Sequence, residues 1–309
     1  MQIEFIVERN KIMDKVGFIG LGIMGTPMAL NLLKHQADLH VYDVRESLSD
    51  RLVSEGAVKS DPSTIGSTCS VIFLMLPSGG IVKEVLFGEE GVCTGLVPGT
   101  VVCDMSSVAP EDSLYCSRLL REKGCGFLDA PVSGGEPKAV DGTLSFMAGG
   151  DDATFQKVLP YLEMMGSSAL LVGDTGTGSI AKLANQIIVN MTIASVSEAF
   201  VFATKAGADP EKVYKAIRGG LAGSAVLDAK LPMILERNFV PGGPIYINHK
   251  DIKNVVEEAH LIGTPIPLTS QLFEIMQAMK VRGHMGEDHC GIVKYFENLA
   301  DCKVQKRDD

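Results

Sequence analysis

From Lys15 to Gly173 the chain alternates short β-rich runs with helical ones, and this alternation constrains its fold more than any other feature. The runs are KVGFIG, LHVYD, SVIFLML, TVVCD and GFLDA, followed by TLSFMAGG and SALLVGD. Helices are expected between them from near Thr26, Glu46, Gly80, Pro110 and Asp151, several opened by a proline in the first turn or by an Asp or Ser cap. Such a rhythm predicts a doubly wound, mostly parallel sheet wrapped by helices. After Gly173 the strand signal stops, and the remainder reads as helices punctuated by GADPEK, RGGLAGS, VPGGP and GTPIPLTS. The expected division is therefore an N-terminal extension over 1–12, an α/β domain over 13–175 and an all-α domain over 176–309.

Immediately after the first strand stands GLGIMG, Gly20–Leu21–Gly22–Ile23–Met24–Gly25, with the G-x-G-x-x-G spacing that opens a helix beneath a dinucleotide pyrophosphate. Gly20 makes the tight turn, Gly22 lets the backbone approach the phosphates, and Gly25 permits close packing of helix on strand. Asp43 follows eighteen residues beyond Gly25, at the end of the second strand, where an acid accepts hydrogen bonds from the adenosine ribose. That favours NAD. Arg45, two residues on, leaves NADP open, because a guanidinium pairs with the extra phosphate.

Three further loops fall on the carboxyl edge of the predicted sheet, where doubly wound folds bind ligands. Pro77 in LMLPS turns the chain after the third clear strand, DMSSVAP offers Ser106 and Ser107, and DAPVSGG brings Ser133, Gly134 and Gly135 together. A hydroxyl beside two unshielded backbone amides suits a carboxylate, although glycines also serve simple turns.

Lys182 poses the sharpest chemical question. It lies near the head of an apolar helical run, GTGSIAKLANQIIVNMTIASVSEAF, where an ammonium needs a partner and burial lowers its pKa toward proton-transfer use. At 100° per residue, Asn185 and Gln186 share its face. Those polar residues interrupt what would otherwise pass for a membrane span, so the run is expected to be a helix buried in protein.

The words VGFIGLGIMG, DAPVSGG and GTGSIAKLANQ, in this order and at these separations, resemble the β-hydroxyacid dehydrogenase family, which includes 3-hydroxyisobutyrate dehydrogenase and glyoxylate and succinic semialdehyde reductases. The resemblance extends from about Met13 to Ala300. It implies a Rossmann domain followed by a helical domain, and a reaction between a nicotinamide cofactor and a short hydroxy or oxo acid. By the same resemblance Lys182 is the catalytic lysine, Ser133, Gly134 and Gly135 bind the substrate carboxylate, and Asn185 neighbours the substrate or the lysine. Leu76, Pro77 and Ser107 would contact the cofactor, and Lys250 in NHKDIKN would approach it. Many relatives carry asparagine at both the third and fourth positions after the lysine. Here Asn185 is followed by Gln186, which leaves open which amide meets the substrate. Longer words, DAPVSGGEPKAVDGTLS and AIRGGLAGSAVLDAK, resemble family members that act on tartronate semialdehyde, which implies its reduction to glycerate, with 3-hydroxyisobutyrate, succinic semialdehyde or glyoxylate, and L-threonate as the alternative acids. The family also implies dimers or tetramers.

Composition narrows the alternatives. Lys plus Arg is 28 against 38 for Asp plus Glu, a formal charge of −10, and no basic stripe tracks a phosphate backbone, so nucleic acid is not an expected partner. The seven cysteines form no C-x-x-C pair and are expected as small buried hydrophobes in a reducing compartment, the cytoplasm. The six histidines show no metal-ligand spacing, and no metal or membrane is expected. A noncatalytic dinucleotide-binding protein is the reading from another class, and loss of the lysine would be its signature.

Overall fold

The computed structural model describes residues 14–307, so the expected extension over 1–12 lies outside the described residues. Two compact units are present, one of residues up to Ser106 together with Glu111–Gly176, the other of Ser107–Pro110 together with Thr177 onward.

The first unit runs β1 (Val16–Ile19), α1 (Gly25–Lys34), β2 (Leu39–Tyr42), α2 (Glu46–Val53), β3 (Val58–Lys59), α3 (Pro62–Thr68), β4 (Val71–Leu74) and α4 (Gly79–Phe87). It continues with β5 (Val101–Asp104), α5 (Pro110–Glu122), β6 (Gly126–Asp129), β7 (Val132–Ser133), α6 (Gly135–Asp141), β8 (Leu144–Gly149), α7 (Asp152–Met165) and β9 (Gly166–Gly173). Among the described residues the sheet has the order β3-β2-β1-β4-β5-β6-β8-β7, with β9 also paired to β8. The strands β1 to β6 are parallel, whereas β8 runs antiparallel to both β6 and β7. β1, β4 and β5 are buried throughout, as continuous runs of β-branched and aromatic residues require when helices cover both faces.

Register places the chemistry. Ile19 pairs with Tyr42 on one side and Leu74 on the other, Leu74 with Asp104, and Asp104 with Asp129. Five parallel strands thus end level, and the segments that begin at Gly20, Asp43, Met75, Met105 and Ala130 leave the same edge. Beneath them a core of Val16, Phe18, Phe73, Leu128, Phe146 and Leu162 is fully or nearly fully buried.

Helix caps follow local chemistry. Asp61 accepts from Thr64 N to open α3, Ser78 from Ile81 N to open α4, and Asp151 from Thr154 N to open α7.

The second unit comprises α8 (Thr177–Lys205), α9 (Pro210–Ile217), α10 (Ala225–Leu235), α11 (Ile245–Leu261), α12 (Pro267–Val281) and α13 (Val293–Ala300). α8 serves both of its cores, giving Phe200 and Val201 to one with Leu231 and Val293, and Ile193 to the other with Ile252, Leu272 and Met279. By length and composition α8 is apolar enough to cross a membrane, yet its buried residues include Gln186, Asn190 and Ser197. Along this helix Ile180, Ile188 and Phe202, spaced along one stripe, are exposed within the chain.

All seven cysteines are unpaired; Cys69, Cys103, Cys116, Cys125 and Cys290 are buried, Cys93 and Cys302 half-buried.

Candidate active site

The glycine turn is built as a phosphate cradle. Gly20 has φ +97°, and a Cβ there would fall 2.4 Å from Met75 O, so neither its dihedral nor its space admits a side chain. A Cβ on Gly22 would meet only the Arg45 guanidinium, at 3.8 Å, so the backbone stays approachable. α1 begins at Gly25, and its first turn carries no acidic residue, leaving its amides suited to an anion. Beside the turn a cavity of about 350 Å³ is lined by Gly22, Ile23, Pro27, Arg45, Arg51 and Glu136. These residues fit a dinucleotide.

Asp43 is turned inward, its side chain only 8% exposed. One oxygen accepts from Leu21 N at 2.7 Å, and the other accepts from Arg45 N at 2.8 Å and Arg45 Nε at 3.3 Å. Its carboxylate therefore braces the turn and pins the arginine, whose guanidinium remains largely in solvent. In the same unit Leu76 follows β4, and its amide donates to Ser106 Oγ at 2.8 Å. Ser133 pairs with Ser145 across β7 and β8, and Gly134 and Gly135 follow at φ +140° and +69°, conformations that residues with side chains rarely adopt.

The second unit assembles a different cluster from α8, α11 and the short segment 107–110. Lys182, Asn185 and Gln186 occupy one face of α8. From α11 come Asn248, Lys250 and Asp251. Asp251 is 1% exposed and is stabilised by three donors: Ser107 Oγ at 2.8 Å, Lys250 Nζ at 3.2 Å and Gln186 Nε2 at 2.6 Å. Lys250 Nζ also donates to Ser107 O. Gln186 Oε1 accepts from Asn185 Nδ2 at 3.0 Å. Burial pushes the Lys182 ammonium below its ordinary pKa; the Asp251 carboxylate pulls it partly back, and the Lys250 charge depresses it further. A lysine so placed exchanges a proton closer to neutrality than a solvated one.

The structure thus brings Lys182, Asn185, Gln186, Ser107 and Lys250 together, and separately gathers Gly20 to Gly25, Asp43 and Arg45. Asp251 and Asn248 were missed by sequence reasoning. The signal was available: both interrupt the apolar face of α11 that Ile245, Ile252, Val255 and Ala259 define, and a polar residue on a buried stripe needs a partner.

With this geometry in hand, similarity to known proteins becomes informative. Residues 15–173 match the family described as the NAD binding domain of 6-phosphogluconate dehydrogenase, and residues 176–296 the one described as NAD-binding of NADP-dependent 3-hydroxyisobutyrate dehydrogenase. The chain belongs to the 3-hydroxyisobutyrate dehydrogenase family. It is 41% identical to 2-hydroxy-3-oxopropionate reductase of Escherichia coli over 94% of its own length and 99% of that protein's. It is 35% identical to 2-(hydroxymethyl)glutarate dehydrogenase of Eubacterium barkeri, over 94% and 97%. A crystal structure of 3-hydroxyisobutyrate dehydrogenase from Salmonella typhimurium superposes with a TM-score of 0.83 at 26% identity, covering 91% of this chain and 99% of that one. As a family member the protein is an NAD(P)-dependent oxidoreductase, and the mostly parallel sheet followed by helices is the family's fold.

Proposed function

We propose that the protein reduces tartronate semialdehyde (2-hydroxy-3-oxopropanoate) to glycerate, with Lys182 as the general acid and, in the reverse direction, the general base. The half-buried Lys182 beside the enclosed Asp251 carboxylate is the observation that carries the chemistry. The substrate rests on similarity to the E. coli reductase at 41% identity over nearly the whole of both chains.

A bound nicotinamide dinucleotide supplies the hydride. The chain's own residues do the rest. Gly20 to Gly25 and Asp43 hold the dinucleotide, with NAD preferred and Arg45 admitting NADP; Leu76, Pro77, Ser107 and Lys250 complete its contacts. Ser133 and the amides of Gly134 and Gly135 take the substrate carboxylate, fixing the aldehyde so that little motion separates it from reaction. The Lys182 ammonium gives its proton to the oxygen that gains charge. Asn185 and Gln186, bonded to each other and through Gln186 to Asp251, are the amides assigned to the substrate. The active form is a cytoplasmic dimer or tetramer.

Two measurements on the full chain test this. Lys182→Ala should lower kcat about a hundredfold or more while NADH binding persists, and near-normal turnover by the folded variant would refute the assignment. For the wild type, kcat/KM for tartronate semialdehyde should exceed that for succinic and methylmalonate semialdehydes by at least about tenfold, the scale of one hydrogen bond to the extra hydroxyl. Equal rates across that panel would remove this substrate and leave the family chemistry in place.

A further inference from the structure

Ser106 caps no helix, since α5 begins only at Pro110. Instead it links two strand ends. The Leu76 amide donates to Ser106 Oγ at 2.8 Å, the Ser106 hydroxyl bonds to the Asp104 carboxylate, and Ser106 N donates to Asp104 Oδ1 at 2.9 Å. Asp104 and Ser106 are 2% and 1% exposed. Leu76 in turn lies against the glycine turn: a Cβ on Gly20 would fall 3.0 Å from Leu76 Cδ2.

We propose that Asp104 is a positioning residue for the dinucleotide: through Ser106 it fixes the Leu76 amide, and with it the Leu76–Pro77 turn that packs on Gly20. The proposal rests on the reading that this turn contacts the cofactor. A buried carboxylate is costly, and nothing in the sheet's own hydrogen bonding requires one here. Its carboxylate is used instead to organise the loop beside it. The bonds point one way, from amide to hydroxyl to carboxylate, and the ionised carboxylate is the stronger acceptor of the two Ser106 donors. A protonated Asp104 would accept more weakly from both Ser106 donors and loosen their hold on the loop.

The groups facing Asp104 act together on its ionisation. Burial raises its carboxyl to about 7, with Asp129 opposite it on β6 and Asp112 on α5 adding to the rise, against the two hydrogen bonds from Ser106. Its other titratable neighbours are the thiols of Cys103 on β5 and Cys116 on α5, both pushed up by burial and therefore neutral. Dinucleotide affinity should accordingly weaken as the pH falls through about 7.

The test is a fluorescence titration of NADH and NADPH into full-length wild type, Ser106→Ala, Asp104→Asn and Leu76→Ala, at pH 6 and pH 8, with folding verified by circular dichroism. Ser106→Ala should weaken both dinucleotides about five- to tenfold, the loss of one buried hydrogen bond, while the KM for the acid substrate changes less than about twofold. Wild type should bind less tightly at pH 6 than at pH 8, and Asp104→Asn should bind alike at both, a difference that a purely structural role would not produce. If Ser106→Ala and Asp104→Asn both match wild type while Leu76→Ala loses affinity, the proposal is overturned and the turn's contact with cofactor stands. If Leu76→Ala is also silent, the contact itself is wrong and the proposal falls with it. Should Asp104→Asn not fold, unchanged binding by Ser106→Ala overturns the proposal by itself.

Discussion

Lys182 is set by residues far away in sequence. Asp251, sixty-five residues beyond Gln186, supplies the carboxylate that raises the lysine's pKa against burial and the Lys250 charge. Replacing Asp251 with Asn should therefore lower Lys182 further. Reduction needs the ammonium form, so its rate falls as pH rises through the Lys182 pKa, which already lies below the ordinary lysine value. In Asp251→Asn that alkaline limb should move to lower pH, and a kcat/KM profile from pH 6 to 10 checks it; an unmoved limb or one displaced upward would exclude Asp251 as the tuning group. The shared face of Lys182, Asn185 and Gln186 was legible from helical spacing. Their carboxylate partner was not, because residue spacing reports one helix at a time, whereas this cluster depends on α8 meeting α11.

At the scale of elements, the glycine turn and the helix it opens were readable because each glycine has a distinct steric duty. A Cβ on Gly25 would fall 1.9 Å from Gly20 O, inside any permitted contact. Gly25→Ala should thus force α1 away from β1, at about 1–3 kcal/mol, the usual range for overpacking, and weaken NADH binding at the same time. A chemical denaturation midpoint and a binding titration measure the two effects; an unchanged midpoint would show that the turn relaxes freely. Other elements escaped the sequence. β3 and β7 have two residues each, too few to show any alternation, and α6 has seven that read as a glycine-rich loop. The reversal of β8 was equally hidden, since strand direction leaves no mark in hydrophobic pattern.

Across the whole molecule, the change from alternating strands to uninterrupted helices near Gly173 was visible as a loss of β-rich runs. The grouping of Ser107–Pro110 with the helices was not, because it depends on hydrogen bonds such as Ser107 to Asp251 across 144 residues. Which side of α8 stays open was not legible either, because an apolar run shows composition rather than face, and Ile188 and Phe202 lie on that side.

The unpaired thiols have a use that follows from where they lie. Burial pushes Cys69 and Cys116 up to about 12 and Cys93 to about 11, so at pH 8 the reactive thiolate is scarce as long as the fold is closed. Cys103 sits in the middle of the sheet and Cys290 in the helical unit, each fully buried. Alkylation of either one then times the opening of its own unit, a built-in stopwatch that needs no engineered label. Mass-spectrometric mapping during slow alkylation at pH 8 should find half-buried Cys302 modified well before Cys103 or Cys290, and equal rates at all three would mean that the native packing opens as freely as its surface. A dinucleotide that stabilises the glycine turn should slow Cys103 more than Cys290, dividing the molecule's stability between sheet and helices by chemistry alone.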